Sequence, residues 1–490
     1  MVFSSLLFLF AFLVICYLVY VIMPGMRTRN AVLLLFSLIF YAWGGPRLVL
    51  LLLFMTFACY LGGVLIARWE RRKKLWLIGT LVVCLGLLAV FKYTGFFLSN
   101  VQGLFGVPAT IPSITLPIGI SFYTFQLISY VIDVYRGDVP AQKNYFLLLL
   151  YAALFHQCVA GPIVRYSDVN EEIVGRTVKR EDIATGITRF ASGLAKKAIL
   201  SNGCAAIVAD LVEKPDTFAG TPTEYLAGVS GAGILLAALC YMLEIYLDFS
   251  AYSDMAIGMG LMVGFHYREN FNYPYIANSV TDFWHRWHIS LSSFFRDYVY
   301  IPLGGNRVSR LRNIFNLFVV WFLTGLWHGA SWNFVLWGLY YFVFLIIEKF
   351  VFRFKKDPHG LARVLRTVMT LVVVFFGWML FYYTDLSMLG TALKGLFCAN
   401  GNPFMDLPTQ TKWLGNIFLL LVSALACTPI IPQIARFFAK KRDTIDTSGV
   451  ARVSVMVYDI ITSILPVALI FLSVLALVGD SYNPFICYQF

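Results

Sequence analysis

The chain has 490 residues, 59% of them hydrophobic and 13% charged, with a mean hydropathy of +0.76 and a net charge of +12. This composition excludes a soluble globule and requires a polytopic membrane protein. The positive charge reads as an orientation signal and an attraction to anionic lipid headgroups, so the lipid bilayer is an expected partner and nucleic acid is not.

Apolar runs long enough to span lie at 3–23, 48–67, 75–90, 116–134, 147–164, 183–212, 228–246, 313–326, 331–347, 364–383, 414–430 and 457–478. A shorter stretch at 31–43 is another crossing or a re-entrant piece. Together they predict an all-α polytopic membrane protein with about 11 to 13 membrane-crossing or re-entrant helices. A barrel would instead show alternating segments of about ten residues. No Lys or Arg precedes the first run, so it is expected to be a retained helix and not a signal peptide. Arg27 and Arg29 follow that run, and Arg68, Arg71, Arg72, Lys73 and Lys74 follow the run at 48–67. The positive-inside rule then places both loops in the cytoplasm and the N-terminus outside. The clusters Arg307, Arg310, Arg312 and Lys349, Arg353, Lys355, Lys356 are expected on the cytoplasmic side, as are Arg436, Lys440, Lys441 and Arg442. The nine cysteines (16, 59, 84, 158, 204, 240, 398, 427 and 487) mostly fall inside apolar runs without Cys-x-x-Cys spacing, and read as small core hydrophobes. No period of 20 to 50 residues and no polar linker divides the chain, so 1–490 reads as a single membrane-embedded domain.

One polar segment and one isolated histidine interrupt this pattern. The stretch 278–312 carries too many charges to cross lipid, yet its core, Thr-Asp-Phe-Trp-His-Arg-Trp-His-Ile-Ser-Leu-Ser-Ser-Phe-Phe-Arg-Asp-Tyr (281–298), is rich in aromatics. As one helix it would lie at the interface or dip into a protein-lined funnel, with His285 and His288 on neighbouring positions of one face. Ile-Pro-Leu-Gly-Gly-Asn-Arg (301–307) then makes a tight turn, its Gly pair allowing positive φ. Residues 313–347 contain no Lys, Arg, Asp or Glu, but they do contain His328, 16 positions after Arg312 and so about 24 Å along a helix. The simplest topology is a hairpin whose 325–331 turn carries His328 deep into the membrane. An ionisable group at such depth marks a function more often than packing. Elsewhere Glu244, Asp248, Asp254, Asp133 and Arg136 also fall at membrane depth, where internal ion pairs and hydrogen bonds are the favoured reading.

Three stretches together resemble the membrane-bound O-acyltransferase (MBOAT) family: Asp-Phe-Trp-His-Arg-Trp-His (282–288), Phe-Arg-Asp-Tyr (295–298) and Trp-His-Gly-Ala-Ser-Trp-Asn (327–333). The likeness is to the bacterial branch that includes the alginate O-acetyltransferase membrane subunit. Supporting stretches at 116–126, 156–165, 193–197 and 248–258 extend it from about residue 90 to 350, in the family's order; Phe-Gly-Trp-Met-Leu-Phe (376–381) and Tyr-Asn-Pro-Phe (482–485) match more loosely. The resemblance implies a multi-pass helical fold around a central tunnel, with His328 essential for acyl transfer and His288 supporting it. His285 stands where the family often has Asn and receives no catalytic role. Trp284, Trp287, Trp327, Trp332 and Asn333 are expected to line the tunnel. The implied reaction takes an acyl group, in the first instance acetyl, from a cytoplasmic thioester such as acetyl-CoA across the membrane. An extracytoplasmic partner of the SGNH-hydrolase type would complete O-acetylation of a polysaccharide. No bound cofactor is expected, and the location implied is the bacterial cytoplasmic membrane.

The chemistry of the residues is compatible. A neutral imidazole can take a proton from an attacking hydroxyl, or carry the acyl group itself. A transporter is the main rival of another class, but it would favour internal repeats and paired broken helices, which this chain lacks. A metal centre on His285, His288 and His328 lacks i, i+4 spacing and accompanying carboxylates, so no metal is expected. Within the family, D-alanyl transfer to teichoic acid and peptidoglycan O-acetylation stay open.

Overall fold

The computed structural model describes residues 1–106, 112, 114–352, 358–444, 449–479 and 485–486, with side chains left undescribed at 443–444 and 449–451. Arg353, Lys355, Lys356, Cys487 and residues 482–484 of the Tyr-Asn-Pro-Phe stretch lie outside the described residues. Among the described residues every regular element is helical. The N-terminal third comprises α1 (Leu13–Ile22), α2 (Gly25–Gly44), α3 (Leu48–Arg68), α4 (Lys73–Phe105), α5 (Ile120–Arg136), α6 (Tyr145–Ala153) and α7 (Tyr166–Gly175). The middle comprises α8 (Arg180–Ala195), α9 (Asn202–Val212), α10 (Pro222–Ala227), α11 (Gly231–Met262), α12 (Val280–Arg286), α13 (Ile289–Phe295), α14 (Arg310–His328) and α15 (Trp332–Ile347). The remainder is α16 (Gly360–Tyr382), α17 (Leu386–Leu396), α18 (Leu407–Gly415), α19 (Ile417–Ala426), α20 (Ile430–Thr444) and α21 (Gly449–Gly479).

Among the described residues six helices are long and apolar enough to cross a membrane alone, and α19 with α20 makes a seventh if the pair, bent by 58°, counts as one span. The molecule is therefore a multi-pass membrane protein. Of the other expected runs, that at 116–134 forms α5, which is buried almost throughout, whereas those at 3–23 and 313–326 keep exposed apolar side chains such as Ile22 and Phe315. The run at 147–164 is a helix only to Ala153 and continues as a buried loop in which Gln157 Nε2 donates to the Tyr151 carbonyl at 2.8 Å. The run at 183–212 is α8 and α9 joined by a wide π-type turn, Lys196–Ser201. Broken backbone at membrane depth persists where protein, not lipid, surrounds it.

Small residues set the core. A Cβ on Gly186 would sit 2.6 Å from the Gly258 carbonyl, and one on Gly193 would sit 2.7 Å from that of Ala251, so α8 lies backbone-to-backbone on α11. The α14–α15 hairpin closes in the same way. Gly325 faces the Phe334 carbonyl and Gly338 faces that of Trp321, with no room for a methyl group at either place. The expected hairpin thus forms, with α14 ending on His328.

The 281–298 segment departs from the single helix expected of it. It breaks at Trp287, which is extended, and at His288, which adopts φ +45° and ψ +56°. His285 and His288 consequently share no helix face: His285 is exposed and His288 is buried. Residues 270–272 run beside the break and supply its backbone partners. The Ile289 N–H donates to the Asn270 carbonyl, and the Asn272 N–H to that of Arg286, both at 2.9 Å. The N-terminus of α12 is held by Glu348, whose carboxylate accepts from the backbone N–H groups of Val280 (2.6 Å) and Thr281 (2.9 Å). The Gly304–Gly305 turn has both residues at positive φ, as the sequence predicts.

Candidate active site

Helix α14 delivers His328 to the tip of the hairpin because Ser309 caps its start and the chain turns at Gly329. The last carbonyls of a helix have no partner within it. Here α4 supplies them: Tyr93 donates its hydroxyl to the Leu326 carbonyl at 2.8 Å, and the Lys92 ammonium donates to that of Trp327. A second bond from Lys92 reaches Ser121 Oγ on α5 at 3.1 Å. A cation at a helix C-terminus is favourable in its own right.

The His328 ring is 5% exposed and meets Trp337, Trp327 and Phe381 edge-on at centroid distances of 4.8, 4.9 and 5.2 Å. It opens on an apolar cavity of about 10 Å³, on the order of one water, whose wall includes Phe249, Trp287, Trp378 and Ile486. Behind Trp327 lies His288. Its ring is 5.7 Å from that indole and 4.7 Å from Phe249. His288 Nδ1 lies 3.1 Å from Asn270 Oδ1, while Nε2 has no hydrogen-bond partner among the described residues. The arrangement therefore offers two buried imidazoles, one shared indole wall and a small apolar cavity.

Not all the expected lining residues converge there. Trp287 and Trp327 border the two histidines. Trp284 packs one layer away, 4.8 Å from both Trp321 and Tyr341. Asn333 is fully buried and donates to the Phe381 carbonyl at 3.2 Å, bracing one wall of His328. The expectation for Trp332 needs correcting. It is 54% exposed on the outside of the bundle, where its indole N–H donates to Asn100 Oδ1 at 2.9 Å.

Three of the acids expected at membrane depth, Asp248, Asp254 and Asp133, have partners. Asp248 binds the Lys197 ammonium at 2.6 Å and accepts the Ile486 N–H at 2.8 Å. Asp254 binds Lys196 and Arg189 at 2.6 and 3.0 Å. Asp133 accepts from the Tyr298 hydroxyl at 2.7 Å. Arg165 pairs with Asp297 at 2.8 Å, and the Arg136 guanidinium donates to the Asp297 carbonyl at 2.9 Å. Burial works to raise the Asp297 carboxyl, but hydrogen bonds from Arg296 and Arg165 outweigh it and hold the group below its ordinary range.

Sequence reasoning missed Lys92, Tyr93 and Asn270. A signal existed for Lys92, since a lysine inside an apolar helix is rare without a role. The expected span stopped at residue 90, however, whereas α4 runs on to Phe105.

With this geometry in hand, comparison with known proteins places the chain. Residues 141–392 match the family model for the membrane-bound O-acyltransferase family. The chain is 36% identical to a probable alginate O-acetylase of Azotobacter vinelandii over the whole of both chains. It is 41% identical to a probable alginate O-acetylase of Pseudomonas aeruginosa, covering 81% of this chain and 75% of the relative. A peptidoglycan O-acetyltransferase of Helicobacter pylori is 32% identical over 82% of this chain and 80% of its own. The chain belongs to the membrane-bound O-acyltransferase family.

Proposed function

We propose that this O-acyltransferase takes an acetyl group from a cytoplasmic thioester such as acetyl-CoA and passes it to a hydroxyl beyond the membrane, for O-acetylation of an extracytoplasmic polysaccharide. The observation that carries the reading is His328, buried at the hairpin tip, walled by aromatic rings and open to a cavity of about 10 Å³. The relatives named as alginate O-acetylases over the full chain length favour a polysaccharide acceptor. The chain lies in the bacterial cytoplasmic membrane with its N-terminus outside, and the 68–74 loop faces the thioester pool. A separate extracytoplasmic protein of the SGNH-hydrolase type completes the transfer.

A thioester is already activated, so the protein must position it, exclude water and supply one bare ring nitrogen. Acting as a base, His328 takes the proton of the attacking hydroxyl while the thiolate leaves. Acting as a nucleophile, it holds the acyl group until the hydroxyl arrives. The aromatic walls serve both roles by keeping competing water out of the cavity.

The test is acetyl transfer in membranes supplied with labelled acetyl-CoA, comparing wild type with His328→Ala at matched expression. Label in extracellular polysaccharide or in a partner protein should be lost in the variant. Undiminished labelling would remove His328 from the chemistry and return a transport role to the front.

A further inference from the structure

His288 is the connection between α12 and α13, and it holds a backbone conformation, φ +45°, that few residues other than glycine adopt. Such strain persists where its surroundings over-determine it. Here the surroundings converge on one atom, Asn270 Oδ1. The backbone N–H of Ser290 reaches it at 3.2 Å, the Ser290 hydroxyl at 2.8 Å and His288 Nδ1 at 3.1 Å. On the other side of the amide, Asn270 Nδ2 donates to Ser253 Oγ at 3.1 Å. Asn270 is fully buried.

The backbone N–H can only donate, so the atom it meets is an acceptor and the orientation of the Asn270 amide is fixed. The Ser290 hydroxyl accepts the Ile163 N–H at 2.9 Å, and its own proton goes to Asn270 Oδ1 at 2.8 Å in preference to His288 Nδ1, which lies farther off at 3.4 Å. If Nδ1 carried no proton, two lone pairs would face each other across 3.1 Å in a buried site. Nδ1 must therefore be the protonated nitrogen, which leaves Nε2 bare. Nε2 lies across the ring from the Asn270 contact, among the aromatic neighbours of the site, and it is buried without a partner among the described residues. A buried acceptor left open in this way is suited to a donor brought by the substrate.

We infer that Asn270 is a positioning residue: it holds His288 as the Nδ1–H tautomer and so presents Nε2 as the acceptor for an O–H donor of the substrate beside His328. The role assigned to Nε2 rests on the acyl-transfer reading above; the tautomer does not. In terms of cause, His288 receives the donor and Asn270 decides which nitrogen does so.

The test pairs turnover with a spectrum. Full-length protein labelled with 15N-histidine in liposomes distinguishes bare from protonated ring nitrogens, and His288→Gln identifies the resonance by its loss. Wild type should give His288 with Nδ1 protonated and Nε2 bare. Asn270→Ala should lower acetyl transfer by at least roughly tenfold, mostly in turnover and not in KM, and should mix the two tautomers. Asn270→Asp keeps an acceptor oxygen and should hold both the signature and a rate within a few-fold of wild type. A wild-type spectrum with Nε2 protonated overturns the inference, and so does Asn270→Ala with an unchanged rate or a rate lost without a change of tautomer. If Asn270→Ala does not accumulate, the folded Asn270→Asp variant decides: a protonated Nε2 there also overturns it. Failure of the acyl-transfer reading shows separately, as transfer indifferent to His328→Ala, since the spectrum needs no turnover.

Discussion

Two lysines sit buried at membrane depth, and the protein treats them in opposite ways. Lys197 faces Asp248 at 2.6 Å on the α11 side, so its charge is met by an opposite charge. Lys92 meets neutral groups, the Trp327 carbonyl and Ser121 Oγ by hydrogen bonds and the Trp327 ring at 5.7 Å, with no carboxylate at ion-pair distance among the described residues. The difference teaches what each is for. A paired buried charge is consistent with a structural clamp between helices, whereas an ammonium left to cap the end of α14 has its effect at the hairpin tip that holds His328.

The largest effect is expected where the paired charge is broken. Asp248→Ala removes the carboxylate that meets the Lys197 ammonium, and breaking a buried pair costs about 3–5 kcal/mol. The variant should therefore accumulate poorly or melt early in detergent. Lys197→Met combined with Asp248→Leu should recover most of that loss, and a double variant as unstable as the single one would show that the pair is not the clamp. Lys92→Met should behave differently. It leaves the Trp327 carbonyl without its donor, a cost of about 1–3 kcal/mol, yet transfer activity should fall by more than tenfold because the end of α14 moves. A thermal shift as large as that of Asp248→Ala, with activity intact, would erase the contrast. Tyr93→Phe removes only the hydroxyl bond to the Leu326 carbonyl, about 1 kcal/mol, and its activity should lie between wild type and Lys92→Met.

The smallest effect is one of pH. The folded-state pKa of Asp297 lies below its ordinary value. Its contribution is therefore fully present above the unfolded carboxylate value of about 3.9 and is lost as pH falls through the lowered one. Asp297→Asn should lower stability modestly at neutral pH and flatten the acid side of a stability–pH curve. A curve parallel to that of wild type down to strongly acid pH would remove Asp297 from that dependence.

The helical class and the hairpin were legible in the sequence because both rest on long-range hydropathy and on an uncharged stretch that only one residue disturbs. His328 stood out for the same reason. The break at His288 was not legible, since the 281–298 stretch has no glycine or proline and a periodicity argument runs straight through it. What breaks the helix is tertiary: residues 270–272 supply replacement backbone partners, and no local pattern announces them. Trp332 was misplaced because a tryptophan beside the site motif reads as lining, whereas the first residue of α15 turns its indole outward to Asn100. Lys92 was hidden by a boundary, since a basic residue after an apolar run reads as the end of a span.

Ile486 stands 158 positions after His328 in the chain, yet both belong to one cavity wall, and the Ile486 backbone N–H is tied to Asp248. Purification tags and trial truncations are commonly placed at the carboxyl end on the assumption that it is remote from the chemistry. In this molecule a truncation upstream of Ile486 removes part of the lining around His328, so loss of activity in a shortened chain would report on that cavity and not on folding alone.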